Sequence, residues 1–274
     1  MTNPSTSRVD PASGLRFVEL SHRWGYNSPT YPGFDDLKIH KVVNHAKHGV
    51  MTQIYKGTMH VSTHVNAPLY LVQGGQGVGQ IPMDRFFGNG MVLDIPKGKW
   101  ELVTAADLQA RESQVRGGDI VVIVTGWHRR YADSQEYFGH APGLSADAAR
   151  WLVDRQVKLV AVDTAHVDHP LATSMGPHRN GPQIKYLLPE YLEATGRHAK
   201  DDFPNWNPAQ RMLLSAGIPV IENVGGDVDT ILGKRATFQA MPWNWANGDA
   251  CVVRFVAMSD PSDNCRIEAG VAAR

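Results

Sequence analysis

At 274 residues, with Lys+Arg and Asp+Glu balanced at 27 each, the chain has no global field that would favour nucleic acid and no basic run suited to a membrane surface. Apolar runs are evenly spread, which points to one domain, and none is long enough to span a bilayer. The opening residues lack the charged and apolar regions of a signal peptide, so a soluble, cytoplasmic protein acting on a small neutral or weakly charged molecule is expected.

Residues 1–16 read as a flexible leader, and Phe17 to His22 as a short strand entering a polar turn. Asn27 to Asp36 contains Pro29, Pro32 and Gly33 with Tyr31 and Phe34 interleaved, so it presents aromatics on irregular backbone. Such a loop either lines a pocket or simply packs on the surface. Val50 to Met59 alternates loosely, as a strand does, and delivers the chain to His60-Val61-Ser62-Thr63-His64-Val65-Asn66-Ala67-Pro68-Leu69-Tyr70. There two imidazoles four residues apart share a face, beside an amide oxygen and a proline that restrains the backbone. A bare pair of this kind is more often two surface histidines than two metal ligands, and Thr63, Asn66 and Pro68 beside it favour the ligand reading. Gly74, Gly75, Gly77 and Gly79 follow without the lysine or helix start of a phosphate loop, and read as a connection.

Met91 to Ile95, Ile120 to Val124 and Leu159 to Asp163 are short, β-branched runs expected of strands buried on both faces. Between them Thr104 and Ser145 cap helices, the second with Asp147 in its first turn and Ala149, Leu152 and Val153 as its apolar stripe. This alternation predicts an α/β sheet. Residues 173–206, broken by Pro177, Gly181, Pro182 and Pro189, read as an excursion serving as a lid or an oligomer contact, with a helix around Glu190 to Thr195. Asn207 as N-cap and Pro208 at the first position then start a helix that stops at Gly217. Ile218 to Glu222 and Cys251 to Val256 are the last two strands, and Cys251 and Cys265 read as structural thiols.

Several side chains could do chemistry. Glu222 ends a buried strand, where an α/β sheet places functional groups and burial is expected to raise a carboxylate's pKa; the competing reading is a salt-bridged strand end. Gln210 stands where a capping-box partner would. Asp163 to His169 is a rival ligand cluster or a loop in which Asp163 holds neighbouring amides. Of the seven tryptophans, Trp127 and Trp206 stand near the expected site. There is no nucleophile elbow, and neither cysteine has a nucleophile's neighbours.

Taken in order, Leu20-Ser21-His22, Tyr31-Pro32-Gly33, the His60 to Tyr70 stretch, Pro142-Gly143-Leu144-Ser145, Val162-Asp163-Thr164 and Ile218 to Asn223 resemble the cyclase family that includes bacterial kynurenine formamidase and isatin hydrolase. The resemblance implies one compact α/β domain over 17–274, with a mixed β-sheet flanked by helices. It also implies a homo-oligomer, dimer or tetramer, and metal-dependent hydrolysis of a C–N bond in a small, aromatic or cyclic amide by a metal-activated water. Against the family's His-x-Gly-Thr-His-x-Asp-x-Pro-x-His, Ser62 replaces glycine, Asn66 aspartate and Tyr70 the last histidine. Gln210 stands where the two-metal pattern expects another histidine. By that resemblance one divalent ion, manganese or zinc, is expected on His60, His64, Gln210 and Asn66. Glu222 is expected as base, Tyr70 as hydrogen-bond donor, and Phe34, Trp127 and Trp206 against the substrate. The altered ligand set leaves two other readings: a non-hydrolytic binding protein on the same fold, and a metal-dependent lyase or ring-forming cyclase.

Overall fold

A computed structural model describes residues 6–260. Fourteen strands are found among them: β1 Arg8–Val9, β2 Arg16–Glu19, β3 Lys38–Val43, β4 Thr52–Lys56, β5 His64–Asn66, β6 Phe87–Asp94, β7 Leu102–Val103, β8 Ile120–Val124, β9 Gly143–Leu144, β10 Leu159–Val162, β11 Val220–Glu222, β12 Arg235–Gln239, β13 Ala250–Val252 and β14 Val256–Ser259. Ten form one mixed sheet in the order β1-β2-β14-β12-β6-β8-β10-β11-β5-β13. Its centre, β6-β8-β10-β11, is parallel, and the remaining pairings are antiparallel.

The three β-branched runs fall in this parallel centre, because only strands covered on both faces can be apolar at every position. Their side chains alternate between two cores. Val122 and Val124 join Val18, Val65, Phe238 and Phe255, strands far apart in order, so the sheet curls around that core. Val121 and Ile123 face Leu108, Leu152 and Leu213, from the helices Ala105–Gln109, Ala146–Asp154 and Pro208–Ser215. Thr104 and Ser145 cap the first two as expected.

Four expectations change. Within the expected leader, β1 pairs with β2 and Arg254 bonds Thr6 and Glu19, so backbone and ion-pair partners tie down the residues from Thr6 onward. The Cys251 to Val256 run divides: β13 joins β5, and after three residues β14 joins β12 and β2. Its apolarity on both sides of Arg254 hid the change of partner. The helix placed around Glu190 is Ile184–Thr195 and contains Pro189 in its interior, where the missing N–H removes one bond of the helix ladder. The alternating Val50 to Met59 run forms β4, exposed at every position and paired with β3 as a hairpin apart from the main sheet. Cys251 is buried in the core, and Cys265 lies outside the described residues.

Candidate functional site

The site is built where β5 and β11 lie side by side, with Glu222 opposite His64 in the antiparallel register. Ser62 starts it. Its backbone lies in the left-handed region, φ 56°, where the family motif has glycine and a side chain is strained. The Ser62 hydroxyl offsets part of that strain by donating to the carbonyls of His22 and Arg23. The kink also aims the Ser62 carbonyl at His64 Nδ1, 2.8 Å away, and at Asn223 Nδ2, 2.9 Å away. A carbonyl can only accept, so Nδ1 holds a proton and Nε2 of the neutral ring presents a lone pair.

That lone pair faces Glu222 Oε2 at 3.2 Å, and no hydrogen bond satisfies Nε2. Two acceptors at that separation repel unless one positive charge, a proton or a cation, lies between them. Glu222 is otherwise fully engaged: Oε2 accepts from Asn66 Nδ2 at 2.8 Å, and Oε1 from Gln210 Nε2 at 3.1 Å and the Val167 amide at 3.0 Å. Burial works to raise its pKa, but His64 and the Asn66 amide outweigh burial and hold it below the ordinary carboxylate range. The raised pKa expected from strand-end burial is thus reversed by positive charge at His64 and by the Asn66 donor.

His60 and His64 come together edge to face, ring centres 5.3 Å apart. His60 Nε2 is bound to Asp249 Oδ2 at 2.8 Å, with Tyr70 at 4.3 Å and Phe34 stacked at 5.5 Å on its ring. Burial, with Glu222 nearby, pushes the Tyr70 phenol well above its ordinary pKa, so it stays a proton donor. Phe34, His60, His64, Tyr70, Trp206, Gln210 and Glu222 all line one cavity of about 40 Å³. Asn66 lies just behind it, bonded to Glu222, with its Oδ1 buried and unpartnered.

Trp127 does not reach this cavity. Its indole is buried beside Tyr137 and Phe138 with Nε1 donating to the Tyr137 carbonyl, because the turn after β8 folds inward under the residues of 173–206. That excursion forms a wall of the site: the Tyr31 phenol donates to Thr173 Oγ1 at 2.9 Å and shares a hydrogen bond with Ser174 Oγ at 3.0 Å, while Leu187 and Tyr191 pack against Trp127's cluster. Gln210 is not a capping-box partner. Asn207 precedes the helix in a left-handed conformation and makes no side-chain cap, so the Gln210 amide is free to turn toward Glu222.

Asp249, Tyr31, His166 and Asn223 also stand at the site, outside the set expected from sequence. Tyr31 and His166 belong to the irregular aromatic loop and to the rival cluster. Asp249 carried no signal, because only the pairing of β13 with β5 sets it beside His60. The rival cluster resolves as a scaffold: Asp163 accepts from the Thr125, Gly126 and His128 amides, the Thr125 hydroxyl and His128 Nδ1.

Among the described residues no three His, Cys, Asp or Glu side chains converge as a metal-binding group. The donors still fit a divalent cation in kind, since His64 Nε2 and Asn66 Oδ1 are buried acceptors with nothing to accept and Glu222 lies beside them. A larger open groove of about 760 Å³ runs past His22, Trp24, Tyr55, His128 and Trp243. It holds the ion pairs Arg129–Asp229 at 2.6 Å and Arg254–Glu19 at 2.8 Å and has unpartnered atoms of its own, His22 Nε2 and Trp24 Nε1, but only in the smaller cavity does an unpartnered imidazole nitrogen face a buried carboxylate, the better mark of chemistry. No helix among the described residues is long and apolar enough to cross a membrane.

A profile of the family described as putative cyclase matches residues 18–169. Kynurenine formamidase of Erythrobacter litoralis is 28% identical over 169 residues, covering 61% of this chain and 74% of the relative. The Delftia acidovorans kynurenine formamidase is 30% identical over 126 residues, 44% of this chain and 54% of its own. Among solved structures, isatin hydrolase A from Ralstonia solanacearum superposes with a TM-score of 0.70 at 20% identity, covering 90% of this chain and 93% of that one. A Bacillus stearothermophilus protein described as a predicted metal-dependent hydrolase gives 0.64 at 18%, covering 90% and 99%. These structures share the α/β fold expected for this chain. The matched profile spans more than half of the 274 residues and includes the His60 to Tyr70 stretch, and the chain belongs to the cyclase family.

Proposed function

We propose that this chain hydrolyses the C–N bond of a small aromatic or cyclic amide with the help of one divalent cation, manganese or zinc. The observation that bears most weight is the unmet pair of acceptors, His64 Nε2 facing Glu222 Oε2. His60, His64, Asn66 and Gln210 would hold the ion, the two amides by turning their oxygens toward it. When bound, such an ion polarises a carbonyl and acidifies water.

The chain's own groups do the rest. Glu222, anionic at neutral pH because its pKa is held low, accepts the proton of the attacking water. The Tyr70 phenol, held protonated by burial, donates to the developing oxyanion or the leaving nitrogen. Phe34 and the Trp206 indole flank the amide, and Trp206 Nε1, buried without a partner, offers a donor to a substrate oxygen. With only about 40 Å³ enclosed, a substrate ring enters when the half-exposed Phe34 swings aside. Kynurenine formamidases among the relatives, and isatin hydrolases among the structural neighbours, support an amide as substrate.

The test is metal analysis of purified protein, followed by assay of an aryl formamide and a cyclic lactam in ¹⁸O-labelled water. Stoichiometric Mn²⁺ or Zn²⁺, activity lost on chelation and label in the product are the expected results. Unlabelled product would indicate a lyase or cyclase. The binding-protein reading draws on the way both amides already clamp Glu222 and Asp249 engages His60; metal-free protein unresponsive to added Mn²⁺ would favour it. The homo-oligomer belongs to the same proposal: Val42, Val50, Met51, Ile54 and Tyr55 stand exposed on and around the β3–β4 hairpin, an apolar surface suited to a second copy and measurable by light scattering.

A further inference from the structure

The loop from Asp163 to His169 holds two buried carboxylates, and the scaffold role of Asp163 leaves Asp168 unexplained. Asp168 is buried beside the site, and no cationic side chain pairs with it among the described residues. Its two oxygens are spent on one object. Oδ1 accepts from the Ala209 amide at 2.7 Å and Oδ2 from the Gln210 amide at 2.9 Å, the first free N–H groups of the helix Pro208–Ser215. Pro208 has no N–H and Asn207 makes no cap, so a residue 41 and 42 positions upstream does the capping. One residue earlier in the same loop, the Val167 amide binds Glu222 Oε1, the very atom that Gln210 Nε2 also binds.

The loop therefore fixes both partners of the Gln210–Glu222 contact, one through Val167 and the other through Asp168. A single-oxygen cap would satisfy one N–H and leave the helix free to rock about it. Two oxygens on successive amides set its rotation as well, and Gln210 is the residue whose amide is gripped. A carboxylate buried near a second carboxylate is also a costly way to cap a helix if capping were its only purpose.

We propose that Asp168 is a positioning residue of the site: its bidentate grip on the first turn of the helix Pro208–Ser215 sets where the Gln210 side chain stands against Glu222. That the positioned amide then serves a cation rests on the function proposed above; the positioning itself does not. The test is a double-mutant cycle of Asp168→Asn, which keeps one acceptor, and Gln210→Leu, with Asp168→Ser replacing the first if it does not fold. Mn²⁺ titration of the chelated protein by calorimetry should show each single variant binding about tenfold more weakly. The double variant should bind no more weakly than the worse single, because both act through one amide. Multiplying effects, or unchanged affinity in Asp168→Asn with only a lower melting temperature, would reduce Asp168 to a cap and overturn the proposal. Should the wild type take up no Mn²⁺, the metal reading fails, and the cycle is decided by denaturant unfolding of metal-free protein. There a non-additive pair supports positioning and an additive pair refutes it.

Discussion

Two buried histidine–carboxylate pairs stand along the same sheet, one on β5 and β11 and the other in the turns that follow β8 and β10, and they differ in one proton. In His128–Asp163 the imidazole Nδ1 donates to the carboxylate at 2.9 Å, and Thr125 and Gly126 supply the other donors. Asp163 lacks nothing and the pair is scaffolding; the remaining nitrogen of His128, Nε2, stands 3.3 Å from the half-exposed Asp229, where water can serve it, and not from a buried carboxylate. In His64–Glu222 the Nδ1 proton is already committed to the Ser62 carbonyl, so the bare Nε2 meets the carboxylate. The residue types are alike, yet a backbone kink two residues upstream converts a satisfied pair into one that calls for a positive charge.

The comparison can be broken at its open pair. Replacing Glu222 with Gln keeps the shape and the contacts of one carboxylate oxygen but removes the proton acceptor, and should lower kcat by about 10² to 10⁴-fold with metal content unchanged. Full activity in that variant would take Glu222 out of the base role. The closed pair is sharpened by pH. Burial works to lower the His128 pKa, but its bonds to Asp163 and Asp229 prevail and raise it above 6.5. The folded state thus holds this proton more tightly than the unfolded one. Its contribution to stability is complete below about pH 6.5 and fades as pH rises through the raised value. His128→Gln should flatten that decline in melting temperature against pH; an unchanged slope would mean another group titrates. The smallest effect is at the kink. Ser62→Gly relieves left-handed strain but loses the hydroxyl's bonds, two opposing changes of about 1 kcal/mol each, whereas Ser62→Ala keeps the strain and loses the bonds. Chemical denaturation should therefore find the alanine variant clearly weaker than the glycine variant, and equal stabilities would remove the strain argument.

Much of this was legible in the chain itself. Continuous β-branched runs can be only strands covered on both faces, and the structure puts Met91 to Asp94, Ile120 to Val124 and Leu159 to Val162 in the parallel centre. Thr104 and Ser145 announce their helices because a cap bonds locally, within three residues of itself. His60 and His64 were visible as a pair because four residues of restrained backbone keep them together. What sequence could not decide was every relation made across strands. Asp249 meets His60 only because β13 lies on β5, Trp127 turns into a core rather than a cavity, and Gln210 gives up its own helix end because Asp168 has taken over the cap. Local spacing determines which groups share a face, while the identity of the neighbour across the sheet, and with it the atom that receives each proton, exists only once the chain has folded.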